Sequence, residues 1–366
     1  MPASFTRLLL LLTLLLAAGP GRAQTINTEA ATAYWKMTDA LRRDEPLTDA
    51  MWQQFLALPD NRVYADAVWG NDTASLARYR RAIEVVYRPR YDSVRQAAIE
   101  AGKWYYVLVN RYKEQEAPDR AFLAAVVKNP GYLEKMYTYA YEFLPARNRQ
   151  KVANLYLAYV AFGNDATSQL EGIIFSIRSA RESNAVKPGI LEAHEMHHRL
   201  RTTQDWTMSP ADEPLLTGFY YALNEGLADL TDKRIELEQQ SDTALAGYTR
   251  RWLLSPAPAV IHKIDSTIQV LAAGGPVTPL KFYRRLTNGT NGHLPGFFMA
   301  YTIYRNGLTK QLLEHADDPI AFALLYQKAA KKDKKRPPIF SNTSERYLRQ
   351  LARKYTRPRP VSTVAK

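Results

Sequence analysis

The stretch His194-Glu195-Met196-His197-His198 is the most informative part of the chain, and it reads H-E-x-x-H. Only six histidines occur in 366 residues, and three of them fall within these five positions. On a helix, His194 and His198 project from one face, so both imidazoles can bind one metal ion. Glu195 can then reach a water molecule on that metal. The pattern predicts a helix that carries two zinc ligands of a hydrolase.

Catalytic zinc takes three protein ligands and leaves one position for water, so a third ligand is required. The metzincin continuation needs a glycine and a third histidine soon after the motif, but Arg201 and Gln204 occupy those positions. The inverted order H-x-x-E-H is also absent from the sequence. Both of those classes are therefore excluded.

A better candidate for the third ligand lies downstream, where the chain reads N-E-G-L-A-D from Asn224. Glu225 lies 27 residues beyond the H-E-x-x-H motif, which leaves room for a helix end, a loop and a second helix. Asp229 follows one helical turn later, where it can accept a hydrogen bond from His194 and fix the orientation of that imidazole. Tyr221, one turn before Glu225, lies on the same face.

The two segments together resemble the gluzincin metallopeptidases, the thermolysin-like clan. Their pattern is H-E-x-x-H followed on a second helix by N-E-x-x-[SA]-D. The resemblance covers about residues 152–232, and a weaker similarity extends to residue 307. The wider layout also resembles a family of uncharacterised exported bacterial proteins described as zinc-dependent peptidases. The resemblance implies one Zn²⁺ ion with the ligands His194, His198 and Glu225, the catalytic carboxylate Glu195, and the outer partners Asp229 and Asn224.

The predicted mechanism assigns proton transfer to Glu195, which takes a proton from the attacking water and passes it to the leaving amine. The developing oxyanion usually needs a second donor. His293 and Tyr301 follow the ligands at a distance where related enzymes place such a donor, and Tyr221 is a third option. The sequence leaves these three open. His197 points about 100° away from the second ligand, so we interpret it as an outer or surface residue.

The amino terminus has the pattern of a secretory signal peptide over residues 1–23. Arg7 precedes the apolar run Leu8–Ala18, and Ala23 ends a small-residue cleavage site. The run has eleven residues, whereas a membrane-spanning helix needs about 20. We therefore expect an exported protein, periplasmic or secreted, without a membrane span.

Cysteine is absent from the chain, so neither disulfides nor thiolate ligands of zinc are available. The formal charge is +13, and residues 331–366 hold twelve Lys or Arg against Asp333 and Glu345. The rest of the protein is nearly neutral, which argues against a nucleic-acid-binding face. We expect a solvated, disordered tail with at most a weak attraction to anionic envelope polymers or lipid.

The predicted fold is α+β and mostly α. A helical N-terminal region, 24–150, precedes a zincin-like catalytic core, 151–310, which is followed by C-terminal helices, 311–355, and a basic tail, 356–366. Within the core, the runs 152–162 and 172–177 are rich in strand formers. We predict the second run as an edge strand that flanks the HExxH helix and holds a peptide by backbone pairing. Longer helices are predicted over 72–100 and 293–307.

The leading interpretation is an exported zinc metallopeptidase that acts on a peptide or protein substrate. One alternative is a zinc-dependent hydrolase of non-peptide amides. Another is a non-catalytic binding or assembly protein that contains zinc. Structural zinc is usually held by Cys and His in all four positions, and such a site has no use for Glu195. The sequence therefore favours an enzyme.

Overall fold

The computed structural model describes residues 25–70, 72–129, 131–201, 206–239, 244–287 and 289–355. The predicted signal peptide, 1–23, and the predicted disordered tail, 356–366, lie outside the described residues. The predicted α+β, mostly α fold is confirmed, since helices predominate and the strands form one small sheet. No helix of the described chain is long and apolar enough to cross a membrane.

The chain divides into two compact units, of which the N-terminal unit contains the residues up to Lys128 together with Lys151–Arg178. This unit holds seven helices and four strands among its described residues. The helices are α1 (Glu29–Arg42), α2 (Asp49–Ala57), α3 (Pro59–Trp69), α4 (Thr73–Tyr87), α5 (Asp92–Glu100), α6 (Trp104–Glu114) and α7 (Glu116–Lys128). The strands are β1 (Thr25–Asn27), β2 (Tyr156–Val160), β3 (Ala166–Ser168) and β4 (Ile173–Ser176).

The four strands form one mixed sheet in the order β1-β2-β4-β3. β2 pairs in parallel with β1 and with β4, and β3 pairs antiparallel with β4. The register places Leu157 opposite Ile173 in the central pair. The strands predicted within 152–162 and 172–177 are thus confirmed, whereas β1 and β3 contain only three residues each and were not predicted.

The prediction that the run 172–177 forms an edge strand is wrong, because β4 has a neighbour on each side. All four residues of β4 are buried. A continuous apolar run is typical of a parallel strand that is covered on both faces, so the composition of this run already favoured an internal position. The strand belongs to the N-terminal unit, whereas the HExxH helix belongs to the C-terminal unit.

The helix predicted over 72–100 is two helices rather than one. Asp72 caps the first, because its carboxylate accepts hydrogen bonds from the backbone N–H groups of Ala74 and Ser75 at 3.1 Å each. The helix α4 ends before Pro89, which lacks a backbone N–H and disfavours a helical conformation at the preceding residue. The chain resumes as α5 at Asp92.

Aromatic residues form much of the core of the N-terminal unit. Phe162 follows β2 and is fully buried. Its ring lies 5.5 Å from that of Phe55 and 5.1 Å from that of Tyr64. At the adjacent Gly163, φ is +73°, and a Cβ atom would lie 2.4 Å from the hydroxyl of Tyr64. Only glycine fits this turn without displacing the ring.

The C-terminal unit contains Asn129–Gln150 and the residues from Ser179 onward. A helix that starts at Ile177 leads the chain into it. The helices are α8 (Tyr132–Glu142), α9 (Ile177–Val186), α10 (Ile190–Leu200), α11 (Glu213–Gln239), α12 (Ala244–Tyr248), α13 (Ala257–Ala272), α14 (Leu280–Leu286), α15 (His293–Arg305), α16 (Thr309–Glu314), α17 (Pro319–Ala330) and α18 (Asn342–Lys354). A π-helical segment, Thr249–Leu254, follows α12.

The units divide the chain differently from the predicted segments. The sequence places residues 151–178 in the catalytic core, but their strand β2 pairs with β1 near the amino terminus, and these residues belong to the N-terminal unit. Conversely, Asn129–Gln150 belongs to the C-terminal unit. The reason is that sheet pairing joins residues distant in sequence, and a three-residue strand such as β1 carries no periodicity by which to find it.

The helices α11 and α15 cross at a pair of glycines. A Cβ atom at Gly226 would lie 2.4 Å from the carbonyl oxygen of Gly296, and one at Gly296 would lie 2.2 Å from that of Ala222. The backbones therefore approach more closely than any side chain would allow. Glu225 precedes one glycine and His293 lies three residues before the other, so this crossing brings the two residues to the same place.

We expect Gly296→Ala to lower the free energy of unfolding by about 1–3 kcal/mol or more, because the obstructing atoms belong to the backbone of α11. Urea unfolding followed by circular dichroism measures the change. Gly247→Ala is the matched control, since a Cβ there meets nothing within 4 Å and better helix propensity should stabilise α12 slightly. Equal unfolding midpoints for Gly296→Ala and the unmodified protein would contradict the close crossing.

Candidate metal centre

The helix α10 carries the H-E-x-x-H motif and is buried along most of its length. The histidine between the two proposed ligands, His197, is fully buried, and its Nε2–H donates to the carbonyl oxygen of Phe143 at 3.1 Å. Burial holds the pKa of His197 well below its usual value, so the ring is neutral. His197 is therefore an internal anchor of the helix and not a surface residue.

The other two histidines of the motif face each other across one helical turn. The Nε2 atoms of His194 and His198 lie 3.2 Å apart, as the four-residue spacing predicts. Glu195 lies between them in sequence, and its side chain is also buried. The two imidazole nitrogens thus lie close enough together to bind one metal ion, and the buried Glu195 directly follows the first of these histidines in sequence.

Glu225 comes to the same point from helix α11. Its Oε2 atom lies 3.2 Å from Nε2 of His198 and 3.8 Å from Nε2 of His194. A tetrahedral zinc ion with ligands at 2.0–2.1 Å holds its donor atoms about 3.3 Å apart. The three atoms therefore have the spacing of a zinc site, and histidine with carboxylate is a donor set that suits this ion.

A third histidine, His293, lies at the first position of helix α15 and joins the cluster. Its Nε2 atom is 3.3 Å from Oε2 of Glu225. Its Nδ1 atom lies 2.9 and 3.0 Å from the two carboxylate oxygens of Asp229. Because a carboxylate only accepts hydrogen bonds, Nδ1 carries a proton, and Nε2 is directed towards the cluster.

The acceptor for His194 differs from the predicted one. Its Nδ1–H donates to Oδ1 of Asp232 at 3.1 Å, whereas the nearest oxygen of Asp229 lies at 3.7 Å. Asp232 is fully buried and also forms an ion pair with Lys233 at 2.6 Å. Two carboxylates of α11 thus orient two different imidazoles: Asp232 orients His194, and Asp229 orients His293.

The carboxylates and histidines of the cluster shift one another's pKa values strongly. Burial alone lowers the pKa of both histidines, but Asp232 outweighs it and raises that of His194 to about 9. Asp229 and Glu225 likewise raise the pKa of His293 to about 10. Burial raises the pKa of Glu225, yet the facing histidines hold it well below its usual range. The site therefore favours a bound cation, and protons compete with a metal ion for the same nitrogen and oxygen atoms.

Asn224 positions the carboxylate of its neighbour. Its side-chain N–H donates to Oε1 of Glu225 at 3.1 Å, and its Oδ1 accepts from Nη1 of Arg201 at 2.5 Å. Arg201 is itself buried, and its Nε donates to the carbonyl oxygen of Ala316 at 3.0 Å. The other carboxylate oxygen of Glu225, Oε2, is thereby held towards the histidines.

The two tyrosines considered as oxyanion donors lie in different surroundings. Tyr301 is eight residues beyond His293 on α15, about 12 Å along the axis, and its hydroxyl donates to Glu238 at 3.4 Å. Tyr221 lines a cleft of about 420 Å³ that also includes Glu225. The structure thus brings His293 to the cluster, places Tyr221 beside it, and leaves Tyr301 away from it.

Sequence reasoning missed Asp232 and Arg201. Asp232 lies seven residues after Glu225, almost two full turns, so helical periodicity alone could have placed it on the same face. In the sequence, Arg201 is informative only because it occupies the position where the metzincin pattern requires glycine. Its contact with Asn224 joins two helices, and no local pattern in the sequence signals such a contact.

The donor set, two histidines from one helical turn and a carboxylate from a second helix, is of the kind found in catalytic zinc sites. The family model described as "Putative zinc dependent peptidase (DUF5700)" matches residues 52–335, so the chain belongs to this family. No curated protein and no solved structure matches the chain at a significant level.

Proposed function

We propose that the chain is an exported zinc metallopeptidase of the gluzincin type, in which His194, His198 and Glu225 hold one zinc ion. The observation that carries the proposal is the convergence of these three donor atoms, with separations of 3.2–3.8 Å, beside the buried Glu195. Bound zinc supplies Lewis acidity and makes water a nucleophile near neutral pH. The proposed export rests on the signal-peptide pattern of the first 23 residues.

Glu195 acts as the general base. It accepts the proton of the attacking water on a carboxylate oxygen and delivers it to the nitrogen of the leaving amine. Its position directly after His194 on the same helix supports this role, because the residue that follows the first ligand of an H-E-x-x-H motif can reach a water molecule on the metal. Its burial keeps the base out of bulk water.

His293 stabilises negative charge on the substrate. Asp229 holds its Nδ1–H with two oxygens, so the ring cannot turn away from the cluster. The neighbouring carboxylates favour the imidazolium form of His293, in which Nε2 also carries a hydrogen, and this Nε2–H donates to the scissile carbonyl oxygen as charge develops on it. Among the three donors considered from the sequence, the geometry favours His293.

Hydrolysis of quenched fluorescent peptides tests the proposed function. The protein is reconstituted with one equivalent of zinc, treated with 1,10-phenanthroline, and then supplied with zinc again. We expect cleavage that disappears with the chelator and returns with the metal. Stoichiometric zinc binding without cleavage of any peptide in a mixed-sequence library would instead favour the non-catalytic alternative.

We expect Asp232→Asn to weaken zinc binding about 10–100-fold, because Asp232 fixes the orientation and tautomer of His194. Competition with a chromophoric chelator measures the affinity. The substitution removes the closer of the two ion pairs of Lys233, which leaves Glu236 at 3.8 Å, so thermal unfolding must show that the variant is folded. Asp229→Asn is the comparison: it should lower kcat more than zinc affinity, because Asp229 contacts His293. If Asp229→Asn weakened zinc binding more than Asp232→Asn did, Asp229 would be the residue that orients His194, as the sequence predicts.

A further inference from the structure

The cleft beside Glu225 is apolar along its walls. Helices α11, α13 and α14 line it, and the wall residues include Leu215, Phe219, Val260, Ile264 and Tyr283. Its volume of about 420 Å³ lies within the range of small-molecule sites, about 300–1,000 Å³. A cleft of this size and lining fits one large apolar side chain and excludes the water that would otherwise hydrate it.

Among the described residues that line this cleft, one, Arg284, carries a positively charged side chain. Arg284 lines it, is exposed, and donates through Nη2 to the hydroxyl of Tyr221 at 3.3 Å. In the described part of the chain no carboxylate forms an ion pair with Arg284. Glu225 is the single acidic residue among the described lining residues, and its charge faces three histidines. The cleft therefore presents an uncompensated positive charge to a ligand.

Arg284 and Glu225 line the same cleft. Tyr221, which Arg284 contacts, precedes Glu225 by one helical turn, so the two residues lie on the same face of α11. A ligand in the cleft can therefore contact the cation while it lies beside the proposed zinc ligand. A carboxylate complements Arg284 best, because it accepts charge-assisted hydrogen bonds from the guanidinium.

We propose that the cleft binds the C-terminal residue of a peptide, with an apolar side chain between the walls and the α-carboxylate on Arg284 and Tyr221. This inference rests on the proposed peptidase function and makes the enzyme a carboxypeptidase. Water adds its oxygen to the carbonyl carbon of the last peptide bond, and the C–N bond breaks. The released nitrogen takes a proton, which leaves a shortened peptide and a free apolar amino acid.

Binding of a product analogue tests the carboxylate site without turnover. Calorimetry compares N-acetyl-L-phenylalanine with its amide, using the zinc-loaded protein. We expect the acid to bind about 10-fold more tightly or better, since a charge-assisted pair is lost in the amide. Arg284→Gln should remove the difference. Arg285→Gln is the matched control, because Arg285 is exposed on the same helix but outside the described lining of the cleft.

Cleavage then separates this inference from the peptidase function. Peptides ending in Ala-Ala-Phe are supplied with a free or an amidated carboxyl terminus, and the products are identified by mass spectrometry. We expect release of phenylalanine from the free acid only, at a rate that Arg284→Gln lowers at least 10-fold and Arg285→Gln leaves unchanged. Equal cleavage of both peptides at internal bonds would overturn the carboxypeptidase inference while the peptidase function survives. Arg284-dependent binding without any cleavage would overturn the peptidase function instead.

Discussion

Glu195→Gln should bind one zinc ion as tightly as the unmodified protein and lower kcat for peptide hydrolysis about 10²–10⁴-fold. Glutamine keeps the shape of the side chain but cannot accept the proton of water. Glu195 is not one of the three proposed ligands, so its charge is not required to hold the metal. Metal analysis after gel filtration gives the zinc content, and release of a fluorophore gives the rate.

A matched substitution separates this effect from a general loss of charge. Glu213 is exposed at the start of α11, and Glu213→Gln should leave both zinc content and kcat unchanged. If Glu195→Gln retained full turnover, another group would have to be the base, and the H-E-x-x-H motif would then serve only to bind metal.

Glu225→Ala should lose zinc where the unmodified protein retains it. The substitution removes one of three donors, and loss of even an outer partner typically costs 10–100-fold in affinity, so we expect a larger decrease. It also leaves the histidines of the cluster without the carboxylate that they face. Zinc content after dialysis against a weak chelator measures the effect, and Glu225→Gln tests whether the amide oxygen suffices.

His293→Ala provides the contrast, because His293 contacts the same oxygen of Glu225 at 3.3 Å. A donor to the substrate can be removed without loss of metal, so this variant should keep its zinc and lose about 10²–10³-fold in kcat. Loss of zinc from His293→Ala, together with retention in Glu225→Ala, would mean that the third ligand is the histidine.

Much of the local structure follows from the sequence because local patterns determine it. The i, i+4 spacing of His194 and His198 predicts two imidazoles on one helical face, and their Nε2 atoms lie 3.2 Å apart. Runs of strand formers predicted β2 and β4, and Asp72 predicted a helix start. The helix predicted over 72–100 is too long because Pro89, itself a local signal, ends it.

The partners across elements depend on packing that the sequence does not display. On α11, Glu225, Asp229 and Asp232 share one face by periodicity, so each could have met His194 equally well. The angle and depth at which helices cross decide the outcome, and here the close approach of Gly226 and Gly296 brings the α15 histidine to Asp229.

The sequence by itself determined the chemistry that the chain can offer: a histidine pair, a neighbouring carboxylate and a second carboxylate on a later helix. Only the tertiary structure decided which carboxylate orients which imidazole, that β4 is internal, and that Arg284 stands at the cleft beside Glu225. The physical reason is that side-chain direction along one helix follows from its 3.6-residue period, whereas contacts between helices depend on backbone distances set by side chains far apart in the chain.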